Sequence, residues 1–137
     1  IFIYFPISST MNYTIENTKI GHGFPPYIIA EMSGNHNQSL DRALKIVEIA
    51  AQCGVNAVKL QTYTPDTITL NVRKKEFMIQ DKKSLWYGKS LYELYEEAHT
   101  PWEWHEPIMN FANKIGISCF SSPFDESAVD FLEKLNA

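Results

Sequence analysis

Three stretches of the chain carry side chains whose type and spacing could do chemistry. The first centres on Lys59 and Gln61, which alternate with Val58 and Leu60. In an extended segment that alternation sends Val58 and Leu60 to one face and Lys59 and Gln61 to the other, which in a closed barrel is the interior. An ammonium group turned inward is costly to desolvate unless an anion meets it. Lys59 therefore holds a bound carboxylate, phosphate or carbonyl, or it forms a fixed ion pair with an acidic residue, for which Glu31 is the candidate. Tyr63 follows in the same stretch.

The second stretch is Glu31 with Ser33, Gly34, Asn35, His36 and Asn37, directly after an apolar run. Glu31 is either part of a site with Lys59 or an ordinary edge or loop residue. His36, between two asparagines, could be a metal ligand, a sugar contact or a hydrogen bonder at a helix entry; with no second histidine or cysteine nearby, ligation is the weakest of these. The third stretch is Ser121 and Ser122, ahead of Pro123, Phe124 and the acidic pair Asp125 and Glu126. Hydroxyls and N–H groups before a helix can hold a phosphate, and serine next to proline can equally just begin a turn.

These residues need elements to hold them, and strands and helices alternate along the chain. Residues 13–20 alternate apolar and polar side chains before Gly21 and Gly23, which suggests a short β-hairpin. Residues 27–30 are a compact apolar run of the kind found in parallel strands covered on both faces, residues 55–60 read as a second buried strand and residues 117–120 as a third. Leu40, Ala43, Leu44, Val47, Ala50 and Ala51 recur at helical spacing, with Ser39 to cap the start, Asp41 in the first turn and Gly54 at the end. Residues 62–99 form a long, looser connection with a short amphipathic piece around Leu91, Leu94 and Tyr95.

Thr100, Pro101 and Glu103 have the pattern of a capping box with proline at the first helical position, ahead of Trp104, Ile108, Phe111, Ala112 and Ile115. Pro107 conflicts with that start and predicts a kink or a later one. Ala128, Phe131, Leu132 and Leu135 mark a last helix behind Asp125 and Glu126. The order predicts an α/β protein with parallel strands, as an open sheet or a closed barrel, and in both the ligand sits at the carboxyl ends of the strands. All three stretches above fall at such ends.

Composition limits the class of protein. The 45% apolar and 20% charged fractions are ordinary for a globular chain. With 12 basic and 16 acidic residues the net charge is −4, and no basic face is gathered for nucleic acid. The basic cluster of Arg73, Lys74 and Lys75, with Lys82 and Lys83, is interrupted by Glu76 and Asp81 and reads as a solvated loop. The aromatic group Trp86, Tyr87, Tyr92, Tyr95, Trp102 and Trp104 reads as packing before sugar stacking, and His22, His99 and His105 as structural or exposed. Cys53 and Cys119 match no metal spacing and are expected to be buried, reduced core residues, which fits the cytosol. The opening residues 1–7 lack a basic region and are broken by Pro6, so neither a signal peptide nor a membrane span is expected. Met11 looks like a natural start, with residues 1–10 an upstream or non-native extension.

Residues 27–137 resemble the N-terminal barrel domain of the sialic acid synthase family. IIAEMSGNHN, AVKLQTYTPDTITL and ISCFSSPFDESAVDFLEKLNA stand where that family has its first three strand ends. TPDTIT at 64–69 and LWYGKSLYELYEEAHTPWEWH at 85–105 resemble the pseudaminic acid branch more than the N-acetylneuraminate branch. The resemblance implies a partial TIM (β/α)8 barrel, its first three β/α units preceded by the hairpin of residues 11–26. Since a whole barrel needs roughly 250 residues, the 137 here would be its first part, inactive and poorly soluble by itself.

The activity implied is condensation of phosphoenolpyruvate with an open-chain N-acetylated amino sugar, a 2,4-diacetamido-2,4,6-trideoxy hexose in the pseudaminic branch. The products are a nine-carbon α-keto acid and phosphate. Carried over residue by residue, Lys59 and Ser122 contact phosphoenolpyruvate and Glu31 and Gln61 hold the sugar, with Lys59 and Glu31 as the catalytic pair. Asn35, His36, Tyr63 and Ser121 complete the expected substrate-binding set. A divalent metal, Mn or Mg, is implied as polariser of the sugar aldehyde, but the family's metal-binding histidines match no residue here, so no metal ligand is assigned. A cytoplasmic homodimer is implied as well. A sibling synthase making N-acetylneuraminic or legionaminic acid and a non-catalytic sugar- or partner-binding half-barrel are the competing readings.

Overall fold

The computed structural model describes residues 13–137. The expected extension over residues 1–10 and the start at Met11 lie outside the described residues. Strands β1 (Tyr13–Ile15) and β2 (Thr18–Ile20) pair antiparallel around a tight turn in which Glu16 takes a left-handed conformation (φ 51°). The Glu16 carboxylate accepts a 2.8 Å hydrogen bond from Ser118 and so ties this ribbon to the amino end of a later strand.

The main sheet is parallel, in the order β3 (Ile29–Glu31), β4 (Ala57–Thr62), β5 (Ser118–Pro123). Helix α1 (Leu40–Gln52) connects β3 to β4. The longer excursion to β5 carries α2 (Pro65–Ile68), α3 (Leu91–Ala98) and α4 (His105–Ile115), and α5 (Glu126–Leu135) follows β5. Ala43, Val47 and Ala50 of α1, Ile108, Met109 and Ala112 of α4 and Leu132 of α5 pack with Val58 and Leu60 of β4 into one core. Each fully buried aliphatic side chain such as Val47, Val58, Leu60 and Ile108 contributes on the order of 1.5–3 kcal/mol by leaving water.

The strands sit further along the chain than the apolar runs suggest. Backbone pairing continues past the apolar residues, because Gln61 pairs with Ser122 and Thr62 with Pro123 as readily as Val58 with Cys119. At the other end Ile28 is spent on the entry to the sheet: its N–H donates to Asn56 Oδ1 (2.7 Å) and its carbonyl accepts from the N–H groups of Asn56 and Ala57. The helices cover the Val58–Leu60 face, and Ile29, on the other, is 45% exposed among the described residues.

Ser39 caps α1 by accepting from Arg42 N–H, and Gly54 follows the helix at φ 77°. The capping box at Thr100 does not form: the Thr100 hydroxyl is buried against His36 instead. Trp102–Trp104 make a 3-10 turn and α4 begins at His105, which puts Pro107 in the first turn, where a missing N–H costs no helical bond. Capping boxes form instead at Ser90 with Glu93, at the head of α3, and at Thr64 with Thr67, at the head of α2. The basic stretch is exposed, Arg73 pairing with Glu93. Cys53 is exposed at the end of α1, a correction to the expected core residue, whereas burial pushes the Cys119 thiol up to about 12. No helix among the described residues is long and apolar enough to cross a membrane.

Candidate active site at the strand ends

Parallel register decides which side chains meet. Glu31 stands beside Lys59, Lys59 beside Phe120, and Gln61 beside Ser122. Register partners share a face, so Glu31, Lys59, Gln61 and Ser122 gather on the side of the sheet away from the helices. Lys59 Nζ lies 2.6 Å from Glu31 Oε2, with the two side chains 31% and 39% exposed. A pair that open to water contributes at most about 1 kcal/mol to stability. Among the described residues the Gln61 and Ser122 side chains carry no hydrogen bond, so an amide and a hydroxyl stand beside the ion pair with their capacity unused.

The loop after β3 is held in a conformation that its sequence alone would not choose. Ser33, Asn37 and Gln38 have φ of 47°, 48° and 54°, each in the region that costs a non-glycine residue energy. Partners on the α3–α4 junction hold them there. Gln38 Nε2 donates to the carbonyls of Glu97 (2.8 Å) and His99 (2.9 Å). The fully buried His36 accepts at Nδ1 from Gln38 N–H (3.2 Å), so its Nε2–H donates to Thr100 Oγ1 (3.1 Å). Burial holds the His36 pKa below its ordinary value, with His99 adding to the effect. Asn35 remains exposed at the loop surface, its amide nitrogen donating to Met32 O (2.8 Å).

The two serines of β5 separate. Ser122 faces the Lys59 side, while Ser121 faces the helices, 2.6 Å from Thr62 Oγ1. Tyr63 is buried edge-on against Tyr95 and Phe124, and burial raises its phenol to about 12. Asp125 caps α5, accepting from Ser127 N–H (2.8 Å) and Ala128 N–H (3.2 Å); the bond from the Ser127 hydroxyl, followed by that from Ala128 N–H, holds its carboxyl below the usual range. First-turn donors that could have cradled a phosphate beside Ser122 are thus occupied by the protein's own carboxylate. The structure brings Glu31, Lys59, Gln61 and Ser122 together, with Asn35 on the adjoining loop; it sets His36, Tyr63 and Ser121 into the supporting layer.

That layer includes Thr62, which the sequence reading passed over, and His105, which it read as structural or exposed. Thr62 is fully buried, and its hydroxyl lies 2.8 Å from Nε2 of the equally buried His105. The signal was available in the alternation of β4, which sends Thr62 to the core face, where a hydroxyl needs a partner. Among the described residues no three His, Cys, Asp or Glu side chains converge to hold a metal ion. Both ring nitrogens of His36 and His105 have protein partners, so these residues do not fit a metal and no step below runs through one. A cavity of about 480 Å³, lined by Ile15, Glu16, Met109 and Ser118 among others, includes none of the expected site residues.

The parallel strand–helix–strand sheet defines an α/β protein, and a cation, a carboxylate, an amide and a hydroxyl stand at the carboxyl ends of its strands, where such folds carry their ligands. The solved N-acetylneuraminic acid (sialic acid) synthetase from Leptospira borgpetersenii superposes with a TM-score of 0.73 at 26% identity, covering 93% of this chain and 39% of that one. A pseudaminic acid synthase from Campylobacter jejuni is 51% identical over 110 residues, 80% of this chain and 32% of the relative. One from Helicobacter pylori is 46% identical over 112 residues, 82% and 32% of the two chains. Residues 46–137 match the NeuB family, and the chain belongs to that family. It spans about a third of the length of the curated relatives it matches.

Proposed function

We propose that the full-length protein condenses phosphoenolpyruvate with a 2,4-diacetamido-2,4,6-trideoxy hexose, giving pseudaminic acid and inorganic phosphate. The observation that carries the reading is the Lys59–Glu31 pair with Gln61 and Ser122 beside it, at the strand ends of a chain similar to two pseudaminic acid synthases. C3 of phosphoenolpyruvate forms a bond to the aldehyde carbon of the open-chain sugar. Water adds to the cation left at C2, and the tetrahedral intermediate expels phosphate to leave the α-keto acid.

In this reading Lys59 gives charge-assisted hydrogen bonds to the anionic groups of phosphoenolpyruvate, and the Ser122 hydroxyl donates to the same ligand. Glu31 accepts from sugar hydroxyls, and Gln61, which both donates and accepts, suits a hydroxyl or an N-acetyl group. Asn35 closes over the sugar from its loop. His36, Tyr63 and Ser121 act from behind these groups. The strands would be the first of an eight-fold barrel, in a cytoplasmic homodimer. A divalent ion, Mn2+ or Mg2+, would have to be held by residues outside those described.

Phosphate release by the full-length protein tests the proposal, using phosphoenolpyruvate, a divalent ion and a panel of N-acetylated six-carbon sugars. Release with the diacetamido-trideoxy sugar and hardly any with N-acetylmannosamine is the expected result. Preference for N-acetylmannosamine would favour the N-acetylneuraminate branch, and silence with every sugar a non-catalytic binding role. Lys59→Ala should lower kcat/KM by about 10²–10³-fold, the usual cost of losing one donor to developing charge.

A further inference from the structure

On the helix side of the sheet, behind the site, Ser121, Thr62 and His105 form one chain of hydrogen bonds. Ser121 Oγ lies 2.6 Å from Thr62 Oγ1, which lies 2.8 Å from His105 Nε2. His105 Nδ1 faces the carbonyl oxygen of Pro101 at 3.3 Å. A carbonyl oxygen only accepts, so Nδ1 carries the proton and Nε2 of the neutral ring presents a lone pair. Thr62 must then donate to Nε2 and receive the Ser121 hydroxyl. The chain runs one way, from Ser121 through Thr62 and His105 to the start of α4.

This chain lies where the backbone ladder weakens. The last rung of β4 and β5 pairs Thr62 with Pro123, which has no N–H, and the next donor is Phe124, to Thr62 O at 3.2 Å. Gln61 and Ser122 form the rung before it, facing the opposite side. Thr62 and His105 are fully buried, so a broken link leaves a polar atom without water to replace its partner.

We propose that the Ser121–Thr62–His105 chain is a positioning device for the phosphate-bearing substrate: it anchors the end of β5 on the core so that Ser122 keeps its place and aim. Thr62 and His105 are positioning residues that touch no ligand. The inference rests on the proposed reading of the interior face as the phosphoenolpyruvate site.

The test is steady-state kinetics on the full-length protein with both substrates varied. Thr62→Val removes the hydroxyl at nearly constant volume and Ser121→Ala removes the other end. Each should raise KM for phosphoenolpyruvate about tenfold, the size of one lost hydrogen bond, with kcat and the sugar KM little changed. The double variant should be no worse than either single one, since one break already opens the chain. Thr62→Ser, which keeps the hydroxyl, should restore the parental KM. An unchanged phosphoenolpyruvate KM, a sugar KM rising in step, or effects that multiply in the double variant would overturn the proposal. Should Thr62→Val fail to fold, Ser121→Ala decides alone, because its partly buried side chain lies outside the fully buried core and can be trimmed without opening it. A parent that consumes no phosphoenolpyruvate refutes the functional reading and this inference together, whereas an active parent with indifferent variants refutes the inference only.

Discussion

Gly34→Ala isolates the packing that holds the loop after β3. Gly34 does not have a left-handed φ, so alanine is conformationally acceptable and any effect comes from space. A Cβ there would lie 2.9 Å from the Ala98 carbonyl oxygen, 3.1 Å from Ala98 Cβ and 3.2 Å from Ala98 Cα. The nearest atom is backbone at the end of α3, so the loop or the helix end must shift. Overpacking of this kind costs about 1–3 kcal/mol, and a shift also weakens the Gln38 bonds to Glu97 and His99, each worth about 0.5–1.5 kcal/mol. Against that, Gly→Ala stiffens the unfolded chain by about 0.4–1 kcal/mol. The net loss is about 1–3 kcal/mol. It is read from the urea midpoint of the full-length variant, with kcat/KM falling as Asn35 and Glu31 move. Adding Ala98→Gly should recover little, because the closest contact is a carbonyl that glycine keeps. A single variant as stable as the parent, or full rescue by the double one, would refute the reasoning.

Two further perturbations follow from the same supporting layer. Burial lowers the pKa of His36 and His105, so the fold holds both neutral and their contribution is complete above the unfolded value of about 6.5. It is then lost as pH falls toward the depressed folded values. Stability should decline by up to about 1.4 kcal/mol per pH unit per histidine below pH 6.5, and urea midpoints that stay level between pH 7.5 and about 5.5 would contradict it. Asp125→Ala removes the cap of α5 and should cost about 1 kcal/mol, whereas Asp125→Asn keeps an acceptor and should lose only part of that; equal losses would show that charge, not capping, is at work.

The side of the sheet that Lys59 and Gln61 take was legible because strand alternation is a strict period of two: once Val58 and Leu60 are assigned to the core, Lys59 and Gln61 follow to the other face. The separation of Ser121 from Ser122 could have been read the same way, had β5 been extended to Pro123. It was missed because the apolar run stops at Phe120 while the ladder does not. Thr100 was misread for a different reason. Thr100 with Glu103 has the spacing of a helix cap, but the hydroxyl is fully buried against a histidine 64 positions earlier. A local pattern cannot register such a partner, and the tertiary bond displaces the local one.

The ion pair bears on how the site must be completed. About a third open to water, Lys59 and Glu31 stabilise the fold little, and on the proposed reading their juxtaposition serves a ligand. Yet the pair is neutral, and Lys59 is the one cation among the residues of β3, β4 and β5. Phosphoenolpyruvate carries a carboxylate and a phosphate, more negative charge than one lysine already matched to a carboxylate can balance. On the proposed reading, Glu31 must give up Lys59 to the ligand and take sugar hydroxyls in exchange, and the remaining positive charge must come from outside these strands. The balance also predicts an asymmetry. Glu31→Gln frees the lysine and should leave phosphoenolpyruvate binding equal or tighter while weakening the sugar, whereas Lys59→Gln should weaken phosphoenolpyruvate first. Isothermal titration with each substrate separates the two, and parallel losses of both ligands in both variants would show that the pair acts as a structural unit.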